Sequence, residues 1–215
     1  MLHQTKNILE KLSSEAQAEM EKIHFTADLH HMHDKIIDIC SRPTTIQDHT
    51  DWLVKEVINK WVGKKDTLYL LGDVSFAKRP IAEKFIDRLN GNKFLILGNH
   101  DKNIYNSTRF SQITQIKDFS FSQFGLNIHI VCCHYPMVSW NRKPHGSFHL
   151  FGHVHGRYSN PSELMLDVGI DNRGDLHTIT GGVHRPINLY EVVVYMENKK
   201  KYIESLPEDS RFTIR

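Results

Sequence analysis

The chain has 215 residues, enough for one sizeable domain with its own core. Its 27 basic and 25 acidic residues nearly cancel, so charge gives no general case for a nucleic-acid or membrane surface. No apolar stretch approaches the roughly 20 residues of a membrane span. The opening Met1-Leu2-His3-Gln4-Thr5-Lys6-Asn7 carries no apolar signal region, so the cytoplasm is the expected compartment.

Histidine stands out, with 15 copies; it is the commonest metal ligand and the usual acid–base group near neutral pH. The three cysteines, Cys40, Cys132 and Cys133, suggest no disulfide framework. The adjacent pair reads as packing on a strand, which fits a reducing compartment.

Residues 5–21 read as a polar helix lying on the domain, with Ile8, Leu9 and Leu12 spaced for one face. The domain proper is expected over 22–197. A short apolar run, 22–27, leads to Asp28. Residues 48–62 carry a helical apolar stripe of Trp52, Leu53, Val57, Ile58 and Trp61. Thr67 to Leu71 reads as a buried strand ending at Gly72-Asp73. Pro80 opens a further helix with Ile81, Phe85, Ile86 and Leu89 on its inner face and Gly91 as its cap. Residues 93–97 form the next strand, ending at Gly98-Asn99-His100-Asp101. This alternation indicates βαβ units with a parallel core. Further on, 119–121, 127–133, 148–151, 164–168 and 190–196 are strand candidates with few helices between, which suggests a second sheet packed on the first. Residues 198–215 read as a charged, peripheral tail. No internal repeat or low-complexity segment interrupts the chain.

Polar clusters fall just after the apolar strands: Asp28-Leu29-His30, Gly72-Asp73, Gly98-Asn99-His100-Asp101, His134 and Gly152-His153-Val154-His155. In open α/β sheets, ligands bind outside the carboxyl ends of strands, so five such clusters can converge on one site. Carboxylates, imidazoles and an amide oxygen make an O/N donor set suited to Mn, Fe or Zn. Singly, each cluster is ordinary. Gly-Asp is commonly a turn, Asn and Asp commonly cap helices, and a lone histidine after a strand is commonly structural. Their ordered conjunction carries the argument.

In that order the clusters resemble the five blocks of the calcineurin-like metallophosphoesterases, over residues 25 to about 171. The first block, Ala27-Asp28-Leu29-His30-His31-Met32-His33-Asp34-Lys35-Ile36-Ile37, is similar to a narrower group of small bacterial and phage phosphoesterases. In that group too, a second histidine is followed by paired isoleucines. The resemblance implies a four-layer αββα sandwich of two packed mixed sheets flanked by helices. It further implies that Asp28, His30 and His155 hold one ion, that Asn99, His134 and His153 hold a second, and that Asp73 bridges them. Two divalent ions are expected, manganese first, with iron or zinc as alternatives.

Two such ions, typically about 3.5–4 Å apart, lower the pKa of a shared water and neutralise charge on phosphate oxygens, so the implied reaction is in-line hydrolysis of a phosphate ester. A phosphodiester is favoured; a phosphomonoester or nucleotide is the alternative. The resemblance sets His100 beside the leaving oxygen, with Asp101 to orient it. Many relatives carry an arginine soon after Gly-Asp. Here the sequence runs Val74-Ser75-Phe76-Ala77-Lys78-Arg79, leaving Arg79 displaced and Arg142 as a second candidate for the phosphate. His33 joins the site if the loop after Asp28 turns inward and lies on the surface otherwise. Asp167 to Asp171 reads as architecture, with Asp167 a supporting group.

Three other readings remain open from sequence. A nuclease of the same fold would need an extended basic groove, and Lys64-Lys65, Lys78-Arg79 and Lys199-Lys200-Lys201 are short clusters. A non-catalytic scaffold would be expected to have lost ligands. A mononuclear zinc hydrolase of another fold would leave Asn99 and Asp73 without a purpose. Nothing in the sequence specifies an oligomeric state.

Overall fold

The structure, a computed structural model, describes residues 12–207. Ile8, Leu9 and the first part of the expected helix at 5–21 lie outside them. Helix α1 (Ser14–Met20) is capped by the Ser13 hydroxyl, which accepts from the Ala16 amide. Met20 and Leu12 pack on the core.

The first sheet is built from β1 (Ile23–Thr26), β2 (Thr67–Leu70), β3 (Asn92–Ile96), β4 (Gln112–Thr114) and β9 (Ile187–Asn188), in the order β4-β3-β2-β1-β9. Only β9 runs antiparallel to its neighbour. The connections after β1 and β2 carry α2 (Lys35–Ile39), α3 (His49–Trp52), which continues as π-helical turns over Leu53–Ile58, and α4 (Arg79–Arg88). The second sheet has β5 (Ile116–Ser120), β6 (His129–Cys133), β7 (Phe148–Phe151) and β8 (Met165–Asp167), in sequence order, with β5 antiparallel to β6 and the rest parallel. Helix α5 (Asp175–Thr180) follows. Two mixed sheets flanked by helices are thus the layered arrangement expected.

Strand alternation sorts the core. Phe25, Leu71, Ile130, Cys132, Phe148, Leu150, Leu166 and Val168 share one cluster joining the two sheets. Leu68, Leu70 and Leu95 turn the other way, onto Leu53, Val57, Phe85 and Ile86 of the helical layer. On the far side of the second sheet, Val131, Phe151 and Met165 meet Trp140 and Met137 from the loop after β6.

The carboxyl end departs from expectation. Residues 190–196, read as a strand, belong instead to α6 (Leu189–Ser205), which also absorbs residues 198–205 of the supposed tail. The run Val192-Val193-Val194 is β-branched, a composition common in strands. The decisive signal is the capping box, in which the Asn188 side chain accepts from the Glu191 amide and Glu191 accepts from the Asn188 amide. Leu189, Val192, Val193 and Met196 then fall on one buried face at helical spacing, with Lys199 buried beside them and donating to the Met165 carbonyl. No helix among the described residues is long and apolar enough to cross a membrane.

Candidate metal centre

Each sheet contributes its strand ends to one place. Asp28 and His30 follow β1, Asp73 follows β2, and Asn99 and His100 follow β3; His134 follows β6, and His153 and His155 follow β7. The loops of the first sheet are laced by backbone bonds, Asp28 N–H to Gly72 O at 3.0 Å and His30 N–H to Asp73 O at 2.9 Å. The sheets are joined where the His153 amide donates to the Asp28 carboxylate, at 2.9 Å to Oδ2.

The backbone here is strained. Asp28, His30, Asp73, His153 and His155 all hold positive φ, between 48° and 72°, a region costly for residues with a Cβ. Such strain concentrates at functional sites, where surrounding structure enforces it. Two glycines make the close approach possible. Gly72, at φ 88°, lies so near the His134 ring that a Cβ would collide with it, and a Cβ on Gly98 would collide with the Asp73 carboxylate.

The donor atoms face one another at coordination spacing. His30 Nε2 lies 3.8 Å from Asp28 Oδ1 and 3.6 Å from Asp73 Oδ2. His134 Nε2 lies 3.5 Å from the same Asp73 Oδ2. These separations exceed a hydrogen bond's but suit two ligands sharing an ion at about 2.1 Å, which stand about 3.4 Å apart in a tetrahedral shell. Asp28, His30 and His155 bring ligand atoms within 4.8 Å of one another, and so do Asp73, His134 and His153. Asp73 belongs to one group and also touches the other through His30. His30 Nε2 and His134 Nε2 are buried and have no hydrogen-bond partner among the described residues. Buried nitrogens left without partners are costly, and a cation satisfies both. Each of the two groups has a donor set that can hold a metal ion.

The opposite edge of each ring is held. His134 Nδ1 donates to the Leu71 carbonyl at 2.7 Å, directing Nε2 inward. His155 Nδ1 sits 2.9 Å from Asp171 Oδ2 and 3.7 Å from Cys40 Sγ. Asp171 is in turn clamped by Arg42, whose Nε and Nη2 donate to its two oxygens at 2.9 and 2.7 Å. The same guanidinium donates to the carbonyls of Leu29 and Asp28, each at 2.7 Å, so one buried side chain fixes the loop bearing Asp28 and the carboxylate behind His155. Its fifth partner is His49 Nε2, at 2.9 Å. Burial and then Arg42 hold the His49 pKa at about 4, so the ring is a neutral acceptor.

Electrostatics follow from this packing. Burial raises the Asp73 pKa, but His134, the His100 amide and His30 outweigh it and hold the carboxyl at about 2. Burial disfavours charge on His155, yet Asp171 and Cys40 carry its pKa up to about 10. Asp167, nearly fully buried with Asp28 close by, is pushed up to about 7. Its oxygens accept from the amides of Gly156 and Gly169 at 2.7 and 2.8 Å, the supporting role expected for it.

His33 turns inward: its Nδ1 lies 3.2 Å from His30 Nδ1. Phe76 stacks on both His33 and His100, with ring centroids 4.2 and 4.3 Å away. His100 is partly exposed, with Nε2 4.0 Å from Asp73 Oδ2 and its amide donating to Asp73 Oδ1. Asp101 does not orient His100. It is buried, and its oxygens accept from the amides of Asp73, Val74 and Gly98 at 2.9, 2.9 and 2.8 Å, clamping two ligand loops together. Arg79 is not at the centre either. Its guanidinium is committed to Glu83 at 2.9 Å and Asn106 at 2.7 Å at the start of α4. Arg142 heads a turn in the exposed loop after β6 and makes no contact with the cluster. Sequence reasoning missed Arg42, Phe76, Tyr135 and the partnership of Asp171 with His155. The Tyr135 hydroxyl lies 3.5 Å from Asn99 Oδ1, and its ring packs edge-on against His153.

No family model matches the chain. It is 26% identical over 196 residues to an uncharacterised protein of Methanocaldococcus jannaschii, covering 87% of this chain and 97% of that one. The Gene 66 protein of Mycobacterium phage D29 is 29% identical over 187 residues, 73% of this chain and 92% of the phage protein. In three dimensions it is similar to a protein of unknown function from Aquifex aeolicus, with TM-score 0.56 and 19% identity over 79% of this chain and 96% of that one. That likeness bears on the fold, and the fold it supports is the pair of mixed sheets flanked by helices.

Proposed function

We propose that this protein is a phosphoesterase of the calcineurin-like metallophosphoesterase type, hydrolysing a phosphate ester at two divalent ions. The observation that carries the reading is the pair of orphaned, buried nitrogens, His30 Nε2 and His134 Nε2, facing one Asp73 oxygen from two sides at 3.6 and 3.5 Å. Asp28, His30 and His155 would hold one ion, Asn99, His134 and His153 the other, with Asp73 shared. Bound there, two ions supply an ionised water at neutral pH and neutralise the phosphate oxygens.

The chain's own residues supply the rest. The lacing among the loops fixes the donors before substrate arrives, so little reorganisation accompanies reaction. His100 is partly exposed at the edge of the centre, where its ring can hand a proton to a leaving oxygen. Phe76, stacked on His100 and His33, limits where both imidazoles point. Arg79 is committed to Glu83 and Asn106, so the ring nitrogens of the centre are the groups left to meet a non-bridging phosphate oxygen. A phosphodiester, with one negative charge, needs the least further neutralisation and is the favoured ester.

The test is hydrolysis of bis-p-nitrophenyl phosphate and p-nitrophenyl phosphate by metal-stripped protein, with and without manganese, beside Asp73→Asn and His100→Ala. Metal-dependent turnover abolished in Asp73→Asn and slowed by roughly 100-fold or more in His100→Ala is expected. No turnover of either ester with manganese, iron or zinc would count against the proposal.

A further inference from the structure

A groove of about 630 Å³ is lined by the chain neighbours of Asn99 and His134, among them Gly98, Cys133 and Tyr135. Its walls grow from the loops that carry the donors. Gly98 precedes Asn99, Lys102 follows the His100-Asp101 pair, and Tyr135 follows His134. Tyr105, Gln115 and Ile116 complete the opposite side. Asp101 also borders it but presents no free anion, since its carboxylate is spent on three backbone amides.

The volume falls within the roughly 300–1,000 Å³ of small-molecule sites. Among the described residues Lys102 is the single cation on the walls, so the groove does not suit a long polyanion. Two tyrosines on the walls are exposed, Tyr105 at 60% and Tyr135 at 42%, with Ile116 at 53%. Planar rings stack on aromatic faces, and the carboxamide of Gln115 offers both a donor and an acceptor to a ring edge. An alkyl chain would use neither the amide nor the ring faces. The groove's lining residues Gly98, Asp101 and Lys102 flank Asn99 and His100 in the chain.

We propose that this groove receives the leaving group of the ester and that this group is a nucleoside, its base stacked on Tyr105 and Tyr135. The assignment rests on the two-metal reading for the position of the phosphate. The groove itself is tested separately.

The full chain loaded with manganese is titrated by calorimetry with adenosine 5′-monophosphate and with ribose 5-phosphate. Tyr105→Ala and Tyr105→Phe are measured beside it. The nucleotide is expected to bind roughly tenfold or more tightly than the sugar phosphate, an advantage lost in Tyr105→Ala and kept in Tyr105→Phe. Equal affinity of the two phosphates, or an advantage untouched by Tyr105→Ala, overturns the inference. Should neither phosphate bind, adenosine is added to isotope-labelled protein with ribose as control. Amide shifts at Tyr105 and Ile116 specific to adenosine would uphold the groove while the metal reading falls. Their absence would overturn the groove as well.

Discussion

The two halves of the candidate centre are built differently. Around Asp28, His30 and His155, support comes from a buried charged network: Arg42 ties together Asp171, His49 and the carbonyls of Asp28 and Leu29. Around Asp73, Asn99, His134 and His153, support comes from backbone groups, the Leu71 carbonyl behind His134 and three amides gathered by Asp101. The first half is the more buried, with Asp28 and His30 inside and His155 half-buried, whereas His153 of the second is exposed. Chain neighbours of the second half line a groove walled by exposed tyrosines. One half fixes geometry, and the other can admit a ligand while its backbone stays put.

Cutting the network behind the more buried half should have the largest effect. Arg42→Met leaves the Asp171 carboxylate buried without its main partner, and a loss of about 3–5 kcal/mol in stability is expected from urea unfolding. The pH dependence has a defined sign. Burial alone would raise the Asp171 pKa, but His155 and Arg42 hold it well below the usual carboxylate range. A depressed folded pKa contributes stability that is complete above the unfolded value of about 3.9 and is lost as pH falls below it. Asp171→Asn should flatten that acid limb of the stability profile.

The same Asp171→Asn substitution leaves the donor set intact but loosens His155. Manganese affinity should fall about 10–100-fold in calorimetry, as for other carboxylates behind a ligating histidine. Phe76→Ala is the next step down. Releasing His100 and His33 from their stack should lower kcat about tenfold while the number of bound ions stays unchanged. The smallest effect belongs to the open half. Tyr135→Phe removes only a long, exposed contact to Asn99 and should shift stability by less than about 0.5 kcal/mol.

The candidate residues were legible as polar clusters within a few positions of apolar strand ends, and the structure brings Asp28, His30 and His155 together, and likewise Asp73, His134 and His153. The supports were not. Arg42 sits in Cys40-Ser41-Arg42-Pro43, where nothing local shows that its partners lie 129 residues away at Asp171 and 7 away at His49. Asp101 looked like a partner for its neighbour His100 because adjacency is visible in sequence, whereas its bonds to Asp73 and Val74 depend on how two loops cross. In the fold, the helical stripes and buried strands were readable from periodicity. Residues 190–196 were read as a strand, whereas the Asn188–Glu191 capping box is the local signal that marks the start of α6.

The most direct test of the account is a count of metal ions. Metal-stripped protein is dialysed against manganese, freed of excess, and analysed by atomic emission beside Asp73→Asn, with near-ultraviolet circular dichroism to check that both are folded. Two ions per chain, falling to one or none in the folded variant, is the expected result. No more than one ion in the unaltered protein, or two retained without the Asp73 carboxylate, would contradict the shared-carboxylate centre.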